Sequence, residues 1–253
     1  VQGVPKAPTD HPTIVSLNPC TDAILAEVAA PAQLKAISHY SYDPRASSMD
    51  LATARRFRVT GGTVEEVLAL DPDVVVAGTF LQPATRAAFE RLGVRVETVG
   101  IASTTAESQA QVARLAALAG HPERGAALNA RIEAALAAAQ WDGAKVTTLL
   151  WQEGGIVPGE QSLIAHLLSR TGFASHSAAR GLGQGEYLPL EQVLADPPAL
   201  VLATAEERAL THPALRRLAG VRYARLDPSL LYCGGPTIVR AAERLAQLRR
   251  DIG

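Results

Sequence analysis

An α/β protein of two similar lobes, each built around a central, mostly parallel sheet and linked by a single long α-helix, is predicted by three observations. Apolar β-branched runs alternate with helical patterns along nearly the whole chain, which implies parallel sheets. One stretch recurs: Glu65 to Ala77 aligns without gaps to Glu191 to Ala203, with seven identical positions. Between the two copies, residues 122–140 are alanine-rich and free of breakers, so one helix spans them.

Each repeat opens with a short amphipathic helix carrying glutamate in its first turn, where the helix dipole favours a carboxylate. Proline stops it at Pro72 and at Pro197, and an aliphatic run follows that reads as a strand buried on both faces. The copies continue alike, since 90–96 resembles 216–223 as helix end, glycine cap and next strand. In the first lobe the pattern predicts strands at 13–17, 35–38, 73–77 and 94–99, with helices near 21–29, 63–70, 83–92 and 105–119. In the second it predicts strands at 145–151, 199–203 and 221–226, with helices near 162–170, 190–195, 212–218 and 236–250.

The expected organisation is a loose proline-rich tail at 1–12, an N-terminal lobe at 13–120, a linking helix at 121–142 and a C-terminal lobe at 143–253. Pro122 suits the first turn of the helix, which at about 1.5 Å per residue spans nearly 30 Å. The same stretch also fits an ordinary packed helix of one continuous domain.

With 24 basic and 25 acidic residues the net charge is −1, which argues against a nucleic-acid binder driven by phosphate neutralisation. Hydrophobic residues at 47% and charged ones at 19% describe a folded globular chain. No apolar run approaches the roughly 18 residues of a membrane-spanning helix. Val1 does not begin a signal-peptide pattern, as expected both of a cytosolic chain and of a processed one.

Ile14-Val15-Ser16-Leu17-Asn18, Thr21-Asp22, Ala36 to Tyr40, Gly61 to Ala77 and Glu191 to Ala195, taken in order, resemble the periplasmic substrate-binding proteins of ABC importers. The resemblance covers nearly all of 13–250 and is narrowest to the branch with two α/β lobes joined by one helix, which delivers cobalamin, haem and ferric siderophores. It implies a periplasmic location with the signal peptide removed, a ligand cleft between lobes, and docking on an ABC permease in the inner membrane. It also implies no cofactor of the chain's own and no catalysis; a monomer is expected. Glu65 and Glu191 match the acidic residues that engage permease arginines in that family; otherwise they simply favour helix N-termini.

Open α/β sheets bind ligands at the carboxyl ends of their strands. That rule makes Asn18 and Cys20, then Tyr40, Tyr42 and Arg45, then Phe80, candidate ligand contacts of the first lobe, with Trp151, Gln152, Tyr187 and Tyr232 from the second. Tyr40 matches a ligand-contacting tyrosine of cobalamin-binding relatives, whereas Val59 and Gly78 stand where those relatives carry tryptophans. The cargo expected first is a corrinoid such as cobalamin, and a ferric siderophore second, since only Arg45 and Arg180 offer themselves to an anionic complex. Haem or a bare metal ion is the alternative, although His11, His39, His121, His166, His176 and His212 show no close ligand spacing.

Cys20 and Cys233 match no CxxC pattern and fall on predicted cleft-side loops, one per lobe. They read as a disulfide, as soft metal ligands or as buried thiols. An enzyme lacks its constellation: there is no Walker A loop, Gly159-Glu160-Gln161-Ser162 lacks the GxSxG spacing, and Glu153, Glu160 and His166 are a weak acid/base set. A sensor module on the same frame is the remaining rival.

Overall fold

The computed structural model describes residues 9–205 and 213–252. The expected tail therefore lies outside the described residues up to position 8, as does His212. Two compact units result. Unit 1 takes the chain to Ala102, then Ala106–Ile132 and Tyr232–Thr237; unit 2 takes Ser103–Thr105, Glu133–Leu231 and the chain from Ile238.

Unit 1 holds a five-stranded, wholly parallel sheet. Its strands are β1 (Ile14–Ser16), β2 (Leu34–Ser38), β3 (Val59–Thr60), β4 (Val74–Gly78) and β5 (Arg95–Val99), in the order β3-β2-β1-β4-β5. The helices are α1 (Pro19–Val28), α2 (Leu51–Ala54), α3 (Val64–Leu68), α4 (Pro83–Arg91) and, from its second residue, α5 (Thr105–Leu118). Val74, Val75 and Val76 are buried, as their unbroken apolar run requires, and each fully buried valine contributes about 1.5–3 kcal/mol. Val15, Ala36, Val67, Val75 and Phe89 form one core cluster. Gln33 is a buried polar hub: its Nε2 donates to the carbonyls of Ala119 and Pro12, and its Oε1 accepts from the Ala30 N–H and pairs with His121 Nε2.

Helix α6 (Pro122–Ala138) is continuous, and the change of unit falls inside it, between Ile132 and Glu133. Unit 2 carries β6 (Val146–Trp151), β7 (Ile156–Val157), β8 (Phe173–Ser175), β9 (Glu186–Tyr187), β10 (Leu200–Ala203) and β11 (Arg222–Arg225). Four of these form a parallel sheet in the order β11-β10-β6-β8, while β7 and β9 pair antiparallel. Its helices are α7 (Leu163–Arg170), α8 (Leu190–Ala195), α9 (Pro213–Arg216) and α10 (Thr237–Asp251), the last from its second residue. The buried Arg249 guanidinium stacks 4.1 Å from the Trp141 ring centroid and donates to the Ala144 carbonyl.

The expected strands and helices are present within a residue or two, except that the linking helix ends at Ala138, four residues before the expected 142. Four strands that the pattern does not predict, β3, β7, β8 and β9, have two or three residues each, too few to show a period. Two groupings differ from expectation: Tyr232–Thr237 belongs to unit 1, not with the rest of 143–253, and Ser103–Thr105 belongs to unit 2, not with the rest of 13–120. Cys233 explains the first, because it is disulfide-bonded to Cys20, with the Cα atoms 5.0 Å apart.

Candidate functional site

The carboxyl ends of β1, β2 and β4 lie side by side and set one end of unit 1. After β1, Asn18 caps α1: its Oδ1 accepts from the Cys20 N–H at 2.8 Å, and Pro19 at the first position needs no donor partner. After β2 the chain makes a 3-10 turn over His39–Tyr42, begun by Ser38, whose hydroxyl accepts from the Tyr40 N–H. Beneath the turn Asp22 is fully buried, and its Oδ2 accepts from the Ser38 N–H at 2.9 Å and the Ser41 hydroxyl at 2.6 Å. Burial pushes this carboxyl up to about 8.

The turn leaves Tyr40 53% exposed, with its ring 4.1 Å from that of His39. Tyr42 is tied down by its hydroxyl, which donates to the Phe57 carbonyl at 2.8 Å. Arg45 is turned to Asp43 at 3.1 Å, and this guanidinium holds the Asp43 carboxyl below its usual value. Phe80, two residues past β4, is 80% exposed. Gly78 could not carry an aromatic side chain without displacing Asn18, since a Cβ there would stand 2.8 Å from Asn18 Nδ2. Tyr232, 39% exposed, joins this end of unit 1 through the neighbouring Cys233, and its carbonyl oxygen lies 3.3 Å from Cys20 Sγ. The structure thus brings Asn18, Cys20 and Tyr232 together, although Tyr232 was expected on the other lobe.

In unit 2, Trp151 is only 3% exposed and packs with Leu149, Val157, Leu188 and Val201, its indole N–H without a hydrogen-bond partner among the described residues. It sits under the surface, and the accessible aromatic is Tyr187, 63% exposed and paired in register with Ile156. Gly155 makes room for that ring: a Cβ there would meet Tyr187 Cε2 at 2.9 Å. Gln152 follows β6 and donates its N–H to the Ile156 carbonyl.

Glu65 and Glu191 each occupy the first turn of a short helix and are exposed. Their neighbours separate the roles. Glu66 is committed within its own unit, accepting from the Gly61 N–H at 2.6 Å and the Thr60 hydroxyl at 2.9 Å, contacts that hold its carboxyl below the usual value. Glu160 and His166, two of the three acid/base candidates, line one 590 Å³ hollow of unit 2 with Lys145, but Glu153 is not among the lining residues. His166 Nε2 lies 3.3 Å from Thr105 Oγ1, and burial holds its ring below the usual histidine value. Arg180 is engaged with Asp196 and the His176 carbonyl. Among the described residues His11 and His121 stack, with ring centroids 4.9 Å apart, and neither lies on a strand-end loop of the candidate set. What sequence reasoning missed is Asp22 as the anchor of the Tyr40 turn; an acidic residue four positions into a strongly apolar helix was the available signal.

A family model described as periplasmic binding protein matches residues 14–219. The chain therefore belongs to the periplasmic binding protein family. No curated protein sequence matches it. Several solved structures share its fold at low identity. A periplasmic heme binding protein from Pseudomonas aeruginosa is 22% identical with a TM-score of 0.72, over 94% of this chain and 92% of that one. The heme binding protein HutB of Vibrio cholerae gives 15% and 0.77, over 95% and 99%. The vitamin B12 binding protein BtuF of the same organism gives 18% and 0.71, over 94% and 96%. Among the described residues no helix is long and apolar enough to cross a membrane.

Proposed function

We propose that the chain is the cargo-capturing component of an ABC importer, acting in the periplasm as a monomer and delivering a metal tetrapyrrole, corrinoid or haem, to an inner-membrane permease. One observation carries the choice of cargo: the strand-end loops of unit 1 offer solvent an aromatic surface, led by Tyr40 against His39 and by Phe80, while Arg45, the cation nearest to hand, is paired with Asp43. A flat, largely apolar macrocycle matches such a surface. An anionic ferric siderophore would call for uncommitted cations, and Arg180 is likewise engaged. The heme- and B12-binding proteins of the same fold support this ranking.

The proposal keeps the remaining ligand candidates Asn18, Tyr42, Gln152 and Tyr187, with Trp151 supporting from below. It keeps α6 as the link between lobes and moves Tyr232 to the first lobe. Glu65 and Glu191 serve docking, since each is exposed at the same place of the repeat and Glu66 is already used within its unit. The chain binds and releases its cargo unchanged, with no cofactor of its own.

Differential scanning fluorimetry against cobalamin, cobinamide, hemin and a panel of ferric siderophores tests the cargo, because a ligand that binds only the folded state raises the melting temperature. A shift with a tetrapyrrole and recovery of that compound intact is expected. A shift confined to siderophores overturns the cargo assignment, and a chemically altered product overturns the transport reading. For docking, Glu65→Ala with Glu191→Ala should lower permease-dependent uptake and leave cargo affinity unchanged; equal loss of affinity overturns it.

A further inference from the structure

Residues Tyr232–Thr237 are a short visitor in unit 1, because Leu231 before them and Ile238 after them belong to unit 2. The visitor is held at one narrow place. Cys233 is buried and bonded to Cys20 in the first turn of α1. Two residues on, the Gly235 N–H donates to the buried Ser108 hydroxyl at 2.7 Å. Gly235 also lies flush against α1: its φ is +59°, and a Cβ would stand 2.6 Å from Ile24 Cγ1. Helix α1 has no need of the bond for its own start, since Asn18 and Pro19 already provide cap and first turn. The covalent tie serves the visiting segment.

We propose that the Cys20–Cys233 disulfide is a positioning element of the cargo site: it fixes Tyr232 beside Asn18, so that a residue from the far end of the sequence completes the aromatic surface of unit 1. This rests on the cargo reading above. Beside the bond, the Gly235 N–H to Ser108 and the close approach of Gly235 to Ile24 help to hold the segment, each of whose residues gives up roughly 1–2 kcal/mol of backbone entropy on ordering. Opening the bond removes the covalent tie, which stands next to Tyr232.

The test uses the full chain in three forms: oxidised wild type, wild type treated with dithiothreitol, and Cys20→Ser with Cys233→Ser. In the second form the S–S bond opens to two thiols while dithiothreitol, losing two electrons and two protons, closes its own ring disulfide. Amide exchange of Gly235, read beside the amides of β4, reports the segment without any cargo. Faster exchange at Gly235 in both opened forms, by a larger factor than at the β4 amides, is expected; a change at Gly235 no larger than that at β4 overturns the proposal. Titration with hemin and with cobinamide reports the cargo. The opened forms should bind whichever probe the wild type takes about tenfold more weakly, and Tyr232→Ala should cost no more in the serine variant's background than a small fraction of its cost in wild type. Unchanged affinity, or full additivity with Tyr232→Ala, overturns the role of the bond at the site. If wild type takes neither probe, the cargo reading fails and, with it, the site role assigned to the bond, while the exchange result still decides whether the bond positions the segment.

Discussion

Ser41 donates its hydroxyl to Asp22 across 2.6 Å, and both side chains are buried, so the turn that presents Tyr40 is moored to a carboxyl on the neighbouring helix. The carboxyl's value is raised from 3.8 to about 8 by burial, against weaker downward pulls from Ser16, Ser41 and the Ser38 N–H. The folded protein therefore holds a proton there that the unfolded chain has released. Stability from this group is fully present below about pH 4 and is lost as pH rises through about 8.

Asp22→Asn keeps an acceptor for Ser38 and Ser41 and cannot ionise. Urea midpoints measured at steps from pH 4 to pH 8 should decline in wild type and should decline clearly less in the variant. Parallel curves would show that Asp22 does not titrate in this range.

Reduction of the disulfide should lower global stability as well as release its segment. The cysteines are 213 residues apart in sequence, and for a loop of that length the chain-entropy model gives about 5 kcal/mol. Guanidinium unfolding with and without dithiothreitol measures it; a difference below about 1 kcal/mol would place the stabilisation elsewhere.

Gly159 separates close approach from backbone conformation. A Cβ there would stand 1.9 Å from the Leu182 carbonyl oxygen, whereas Gly154 has a φ of +75° and open space around it. Gly159→Ala should destabilise by about 3 kcal/mol or more, because backbone on both sides must shift. Gly154→Ala should cost about 1 kcal/mol from its φ alone. Thermal denaturation of the two variants checks the order, and a reversed order would refute the packing argument.

The pair Glu65 and Glu66 predicts a split between neighbours. Thr63 caps α3 by accepting from the Glu66 N–H, so Thr63→Ala should cost about 1 kcal/mol. Glu66→Ala should destabilise too, by removing the partner of Gly61 and Thr60, whereas Glu65→Ala should leave the melting temperature in place. A destabilised Glu65 variant would mean that this carboxylate is structural.

Legibility in the sequence followed the length of the signal. The run Val74-Val75-Val76-Ala77 announces a buried central strand, and the helix from Pro122 carries its own start signal, so both were readable. The two-residue β3 and the β7–β9 pair carry no period at all, and their positions follow from tertiary contacts. At the candidate site, Tyr40, Phe80 and Tyr187 were found by the rule that ligands meet strand ends, and they are exposed. The same rule placed Trp151 alike, yet its side chain turns into the core, because alternation along β6 decides the face and not proximity to the strand end. The position of Tyr232 was hidden for a different reason: a covalent bond outranks sequence neighbourhood, and nothing in the local pattern reports it.

That bond also imposes an order on the chain's making. Between the two cysteines of residues 1–253 only one internal pairing exists. A chain emerging amino-terminus first displays Cys20 without its partner until residue 233 has appeared, and a product cut short before Cys233 keeps that sulfur unbonded to it. An open Cys20 thus marks a chain that has not yet reached α10.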